Sequence, residues 1–152
     1  MMQGRHPECV MKPIATLLGL GTLLWLTAAV ATQPTPVPTI GAAELLARQA
    51  AKDPALVVLD VRTPAEFAAG HVPGAINIPH DQVEARLGEL APLRDKDIVV
   101  YCGAGRRAAL ALEVLGRHGY PKLSHLDGDM QGWVGTGRPV EKSPAPAPPP
   151  KP

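Results

Sequence analysis

Cys102 is followed at once by Gly103-Ala104-Gly105-Arg106-Arg107. Two glycines within three residues let a loop curl until its backbone N–H groups point at one atom. The two arginines add full positive charges beside the sulfur, and a helix starting there adds roughly half a charge more. Each feature favours thiolate over thiol. A cysteine that only fills core volume needs neither the glycines nor the arginines. The pattern marks Cys102 as a nucleophile suited to anionic substrates or intermediates. Gly103, Ala104, Gly105, Arg106 and Arg107 form its substrate-binding cradle.

Such a loop must be held by the elements on either side. Ile98–Tyr101 is a short, β-branched apolar run, which reads as a buried strand ending on Cys102. Beyond the arginines, Leu110, Ala111, Val114 and Leu115 recur at helical spacing until Gly119. Upstream, Ala55–Val61 predicts a second buried strand, and Thr63-Pro64-Ala65-Glu66 predicts a capping box on a short helix closed by Gly70. Ala75–Ile78 predicts a brief strand after Pro73-Gly74, and Asp81–Leu90 a helix with Val83, Leu87 and Leu90 on its apolar side. Leu123–Leu126 predicts the last strand, followed by Gly128 and a turn or short helix to Trp133. Near the start, Thr39 reads as the cap of a helix over Ala42–Ala50. Alternating strands and helices give an α/β fold, a mostly parallel sheet with helices on both faces. Ligands of such sheets bind beyond the carboxyl ends of the strands, where Cys102 falls.

The chain divides by composition. Nine of the 18 prolines lie at Pro34, Pro36, Pro38 and within the last ten residues. Residues 32–38 read as an extended linker and 143–152 as a disordered proline-rich tail. Lys12, the apolar run Ile14–Val30 and the close Ala29-Val30-Ala31 predict a secretory signal over 1–31, with Met11 as an alternative start. An uncleaved anchor is the competing reading, because the run is at the lower edge of a membrane span. Cleavage removes Cys9 and leaves Cys102 unpaired, although exported proteins usually pair their cysteines. The remaining single domain, 39–142, holds 12 Lys or Arg against 13 Asp or Glu, and its aromatic residues are Phe67, Tyr101, Tyr120 and Trp133. That balance excludes a basic nucleic-acid footprint and a base-stacking platform. His71, His80, His118 and His125 have no metal-ligand spacing with Cys102, so no metal is expected. No glycine-rich nucleotide fingerprint stands in the domain, and no cofactor is expected either. Asp60 and Arg62 read as a structural ion pair, His71 as a hydrogen-bonded structural residue, and Met130 and Trp133 as core or pocket edge.

Four ordered motifs then carry a resemblance. Leu59-Asp60-Val61-Arg62-Thr63-Pro64-Ala65-Glu66-Phe67, Gly70-His71-Val72-Pro73-Gly74-Ala75-Ile76-Asn77-Ile78-Pro79, Tyr101-Cys102-Gly103-Ala104-Gly105-Arg106-Arg107 and Leu126-Asp127-Gly128-Asp129-Met130-Gln131-Gly132-Trp133 resemble a single-domain rhodanese. The last motif departs from the usual pair of glycines at Asp129, a change not expected to abolish activity. The resemblance covers Thr39 to Val140 and implies a rhodanese-like fold with sulfurtransferase chemistry. Cys102 would attack the outer sulfur of thiosulfate, release sulfite and hold the sulfur as a persulfide. A thiophilic acceptor, cyanide or a thiol, would remove it. Arg106 or Arg107 would hold the sulfonate end of the donor. With its signal, the chain is similar to the small exported rhodaneses of the bacterial periplasm, so a monomer with small-molecule partners is expected. No nucleic acid is expected among its partners, and no membrane once the signal is cleaved.

Two rivals remain. Cysteine phosphatases of related fold and arsenate reductases use a longer loop, Cys-x5-Arg. Arg107 closes Cys-x4-Arg here, a ring that suits a sulfur atom and crowds a tetrahedral phosphate. A rhodanese-like sulfur carrier or binding module without rapid turnover is the alternative from another class.

Overall fold

A computed structural model describes residues 36–144. The expected signal segment, most of the linker and the tail from residue 145 onward lie outside the described residues.

Five strands form one sheet: β1 (Thr39–Ile40), β2 (Leu56–Asp60), β3 (Ile76–Asn77), β4 (Asp97–Tyr101) and β5 (Leu123–Leu126). Their order is β1-β5-β4-β2-β3, and every neighbouring pair is parallel. The helices are α1 (Ala42–Ala50), α2 (Pro64–Ala69), α3 (Leu87–Leu90), α4 (Arg106–Arg117) and α5 (Asp129–Gly135). The central strand β4 pairs along its whole length with β2, from Leu56 opposite Asp97 to Asp60 opposite Tyr101. This accounts for the two continuous apolar runs, because strands covered on both faces need no polar side.

Period-two alternation along β4 divides the core. Ile98 and Val100 point to the face carrying Ala108, Ala111, Leu112 and Leu115 of α4 and Leu90 of α3, and Cys102 joins that cluster. Val99 and Tyr101 point to the other face, with Ala42 and Leu45 of α1 and Met130 and Trp133 of α5. Burying each of these larger aliphatic side chains stabilises the fold by about 1.5–3 kcal/mol. Tyr101 is wholly buried, and its hydroxyl accepts the Val72 N–H at 3.0 Å. Burial raises its phenol above the ordinary tyrosine range. Chain direction also sets the site. From β2 the chain moves outward to β3, whereas from β4 it moves the other way to β5. The carboxyl ends of β2 and β4 therefore flank a topological switch point.

Two elements differ from the sequence expectation. Thr39 does not cap α1. It pairs as part of β1 with His125, and the N-cap of α1 is Gly41. The outer edge of β5 needs partners, and the chain supplies them: His125 N–H donates to the Pro38 carbonyl at 2.9 Å and Asp127 N–H to that of Ile40 at 3.0 Å. The stretch expected to be helical over 81–90 runs through turns and becomes helix only at Leu87. Val83 is fully buried there without a helix, and Pro92, which has no N–H, lies in the 3-10 turn Ala91–Leu93 that follows.

Candidate functional site

Cys102 is the residue immediately after β4, and only 2% of its surface is exposed. The chain turns there through Gly105, whose φ of +93° suits glycine. Gly105 N–H donates to Cys102 Sγ at 3.1 Å. No side chain caps α4, and the sulfur accepts the N–H of its N-cap residue. The helix dipole and the loop amide both favour negative charge at that sulfur. A Cβ on Gly105 would also meet Asp129 Oδ2 at 3.2 Å and His125 Cε1 at 3.4 Å, so space and backbone angle require glycine together. Gly103 is half-buried and Ala104 exposed at the crest of the loop.

The two arginines occupy different positions. Arg107 forms a two-pronged pair with Glu66 of α2, Nη1 to Oε2 at 2.7 Å and Nη2 to Oε1 at 2.8 Å. Its guanidinium lies against the loop, because a Cβ on Gly103 would stand 3.3 Å from Nη2. The Arg107 hydrogen bonds, helped by those from Thr63, hold the Glu66 carboxyl down at about 2. Glu66 in turn raises Arg107 above the ordinary arginine value, and the charge of Cys102 adds to this. Arg106 is exposed on the first turn of α4 and forms no ion pair among the described residues. The sequence assigned Glu66 only to its capping box. Its second task follows from the way β2 and β4 bring α2 and α4 to the same sheet end.

A third support comes from the β5–α5 turn. Cys102 N–H donates to Asp129 Oδ1 at 2.7 Å, Met130 N–H to the Cys102 carbonyl at 3.0 Å, and Gln131 N–H to the Gly103 carbonyl at 3.1 Å. His125 Nε2 lies 3.2 and 3.1 Å from the two Asp129 oxygens. Asp129 is buried and left-handed, with φ +51°. Sequence reasoning noticed Asp129 as a departure and gave it no contact with Cys102.

The structure places the remaining candidates outside the reacting position. Arg62 Nη2 contacts Asp60 Oδ2 at 2.6 Å and donates to the Gly70 carbonyl at 2.7 Å, a buried structural pair as expected. His71 is buried, stacks on Phe67 at 3.6 Å and bonds the Phe67 carbonyl through Nδ1 at 2.8 Å. Trp133 Nε1 donates to the Pro139 carbonyl at 2.7 Å, and Trp133 and Met130 both belong to the core. Among the described residues no group of three or more His, Cys, Asp or Glu side chains could hold a metal. One cavity, of about 440 Å³, is lined by Gln49, Lys52, Leu56, Pro73 and Ile76, at the sheet end opposite Cys102. A shallower depression of about 330 Å³ is lined by Arg62, Glu66, Gly70, Met130, Val134 and Val140, beside the loop's two supports.

A parallel α/β sheet whose one cysteine among the described residues stands at a helix start on the switch-point end defines a class of small α/β domains. Within that class, residues 41–136 match the model of the rhodanese-like domain. The chain belongs to the rhodanese-like family. Over 97 residues it is 33% identical to a sulfurtransferase of Allochromatium vinosum, covering 64% of this chain and 89% of that protein. Over 96 residues it is 33% identical to the thiosulfate:glutathione sulfurtransferase of Saccharomyces cerevisiae, covering 56% of this chain and 69% of the relative. The fold is similar to that of a rhodanese-related protein from Thermoplasma volcanium, with a TM-score of 0.61 at 34% identity over 70% of this chain and 99% of the other.

Proposed function

We propose that the protein is a thiosulfate sulfurtransferase working through a persulfide on Cys102. The observation that carries the reading is the sulfur's place at the start of α4, accepting the N–H of the N-cap residue Gly105 at 3.1 Å at a helix start that no side chain caps. The Cys102 thiolate attacks the outer sulfur of thiosulfate. A new S–S bond forms, the bond to the inner sulfur breaks, and sulfite leaves with its electron pair. Cyanide or a thiolate then attacks the outer sulfur of the persulfide, takes it away, and returns the thiolate. The loop amide and helix dipole stabilise the anion at each stage. Arg106, exposed and without an ion pair among the described residues, meets the sulfonate end of the donor, while Arg107, pinned by Glu66, braces the loop. No cofactor enters this cycle.

The short ring from Cys102 to Arg107 supports sulfur over phosphate as the bound atom. The signal-like segment, residues 1–31, supports export to the periplasm. Intact-mass measurement after thiosulfate treatment tests the reading. A gain of one sulfur on Cys102, discharged by cyanide as thiocyanate, is expected. A persulfide that forms without being discharged would instead identify a sulfur carrier. Hydrolysis of an aryl phosphate with no sulfur gain would identify a phosphatase.

A further inference from the structure

Asp129 stands where the resemblance leads one to expect the second of two glycines, and it has kept the glycine's backbone conformation. Its φ of +51° is one that side chains seldom adopt, though Asp tolerates it better than most. Gly128 before it is also left-handed, at +73°, and a Cβ there would press on the backbone of Gly132 at 3.2 Å. The turn therefore needs its first glycine for space, whereas the second position has room for a side chain. That side chain is 4% exposed and fully partnered. One oxygen accepts from the backbone N–H of Cys102 at 2.7 Å, and the carboxylate is held from β5 by His125 at 3.1 Å. Its second oxygen lies against Gly105, at the far end of the same loop.

We propose that Asp129 is a positioning residue for the nucleophile, with His125 as the clamp that fixes its carboxylate. Cys102 lies one residue past the paired end of β4, where the sheet ladder no longer fixes its amide. Asp129 replaces that ladder bond with a charged acceptor. Met130 and Gln131 N–H hold the carbonyls of Cys102 and Gly103 from the same short turn. Cys102 is thus gripped by its N–H and its C=O, which leaves its side-chain torsion as the one free coordinate of the sulfur. A charged hydrogen bond at this point corresponds to roughly a tenfold to hundredfold effect on a step that depends on sulfur placement.

The inference rests on the sulfurtransferase reading for its kinetic arm and on the fold alone for its structural arm. Asp129→Gly supplies the residue best suited to φ +51° while removing the acceptor, and Asp129→Asn tolerates that angle and keeps an acceptor oxygen. Each is made in the full chain, together with His125→Gln. Asp129→Gly is expected to lower kcat about tenfold and to leave KM for thiosulfate within about twofold. Asp129→Asn is expected to stay within about threefold of wild type, and His125→Gln to fall between the two. Hydrogen exchange of the Cys102 amide, followed by NMR, should accelerate at least about tenfold in Asp129→Gly and much less in Asp129→Asn. A positioning role is overturned by Asp129→Gly with wild-type kcat and wild-type amide protection, or by Asp129→Asn losing as much as Asp129→Gly. Should the wild type itself fail to turn over thiosulfate, the sulfurtransferase reading fails. The exchange rates then decide the positioning alone, loss of protection supporting it and unchanged protection overturning it.

Discussion

Helices α2 and α4 both start at carboxyl ends of the sheet, and their first turns are finished in opposite ways. At α2 the Thr63 hydroxyl accepts from Glu66 N–H at 3.3 Å, Glu66 Oε2 accepts from Thr63 N–H at 3.0 Å, and Pro64 removes one donor. At α4 no side chain caps the turn, and the acceptor for Gly105 N–H is the Cys102 sulfur. The closed start fixes a helix, and the open one keeps its field for an anion. They are also joined, because Glu66 serves the box at α2 and pairs with Arg107 on α4. A cap built for stability thereby holds the arginine of the Cys102 loop in place.

Removing the sulfur gives the largest expected difference between the two starts. Cys102→Ser should lower thiocyanate formation by at least about a thousandfold, because a hydroxyl is a far weaker nucleophile. Its melting temperature should stay near wild type, since the small side chain is nearly isosteric. Steady-state assay with thiosulfate and cyanide checks this, and substantial activity in the variant would remove Cys102 from the mechanism.

Cutting the link between the two starts comes next. Arg107→Ala and Glu66→Gln should each lower kcat/KM by about tenfold to a hundredfold, with the double variant little worse than either single one. Fully additive losses would show that the pair does not act as a unit. Glu66 also carries a pH signature. Its carboxyl is held at about 2 against an ordinary 4.5, so its contribution to stability is complete above 4.5 and is lost as pH falls toward 2. Thermal melts across that interval should fall more steeply for wild type than for Glu66→Gln.

The same contrast explains what the sequence disclosed. The α2 start is local: Thr63, Pro64 and Glu66 lie within four residues and carry their geometry in their types. The Cys102 loop was legible for a similar reason, since two glycines and two arginines beside one thiol are a short-range pattern. The strands β2 and β4 could be read from their apolar runs. The contacts between Glu66 and Arg107, and between Cys102 and Asp129, join residues 41 and 27 positions apart. No spacing rule reports such contacts, because strand order creates them. Asp129 still left a trace as a charged residue where the resemblance leads one to expect glycine. Thr39 was misassigned because a threonine before a helical segment satisfies a local capping rule, while the demand that overrode it came from the unpaired edge of β5.

Arg106 should give a smaller effect than its neighbour, despite carrying the same charge. It is exposed at α4 and forms no ion pair among the described residues. Arg106→Ala should raise KM for thiosulfate by about threefold to tenfold with kcat nearly unchanged, and the increase should shrink at high salt as solvent screens the charge. A fall in kcat instead would mean that Arg106 shapes the loop rather than attracting the donor.

The smallest expected effect on activity tests the closed start directly. Thr63→Ala removes the hydroxyl that accepts the Glu66 N–H and donates to Glu66 Oε2 at 2.8 Å. Loss of an N-cap of this kind costs about 1 kcal/mol, or roughly 4–8 °C in melting temperature for a domain of this size. Glu66 keeps both Arg107 bonds and the Thr63 backbone N–H in that variant, so its carboxylate stays anchored from two sides. Activity well below the melting transition should therefore remain within about twofold of wild type. A larger loss of activity without a matching loss of stability would show that the hydroxyl aims Glu66 at Arg107. The cap would then belong to the Cys102 loop as much as to the helix it closes.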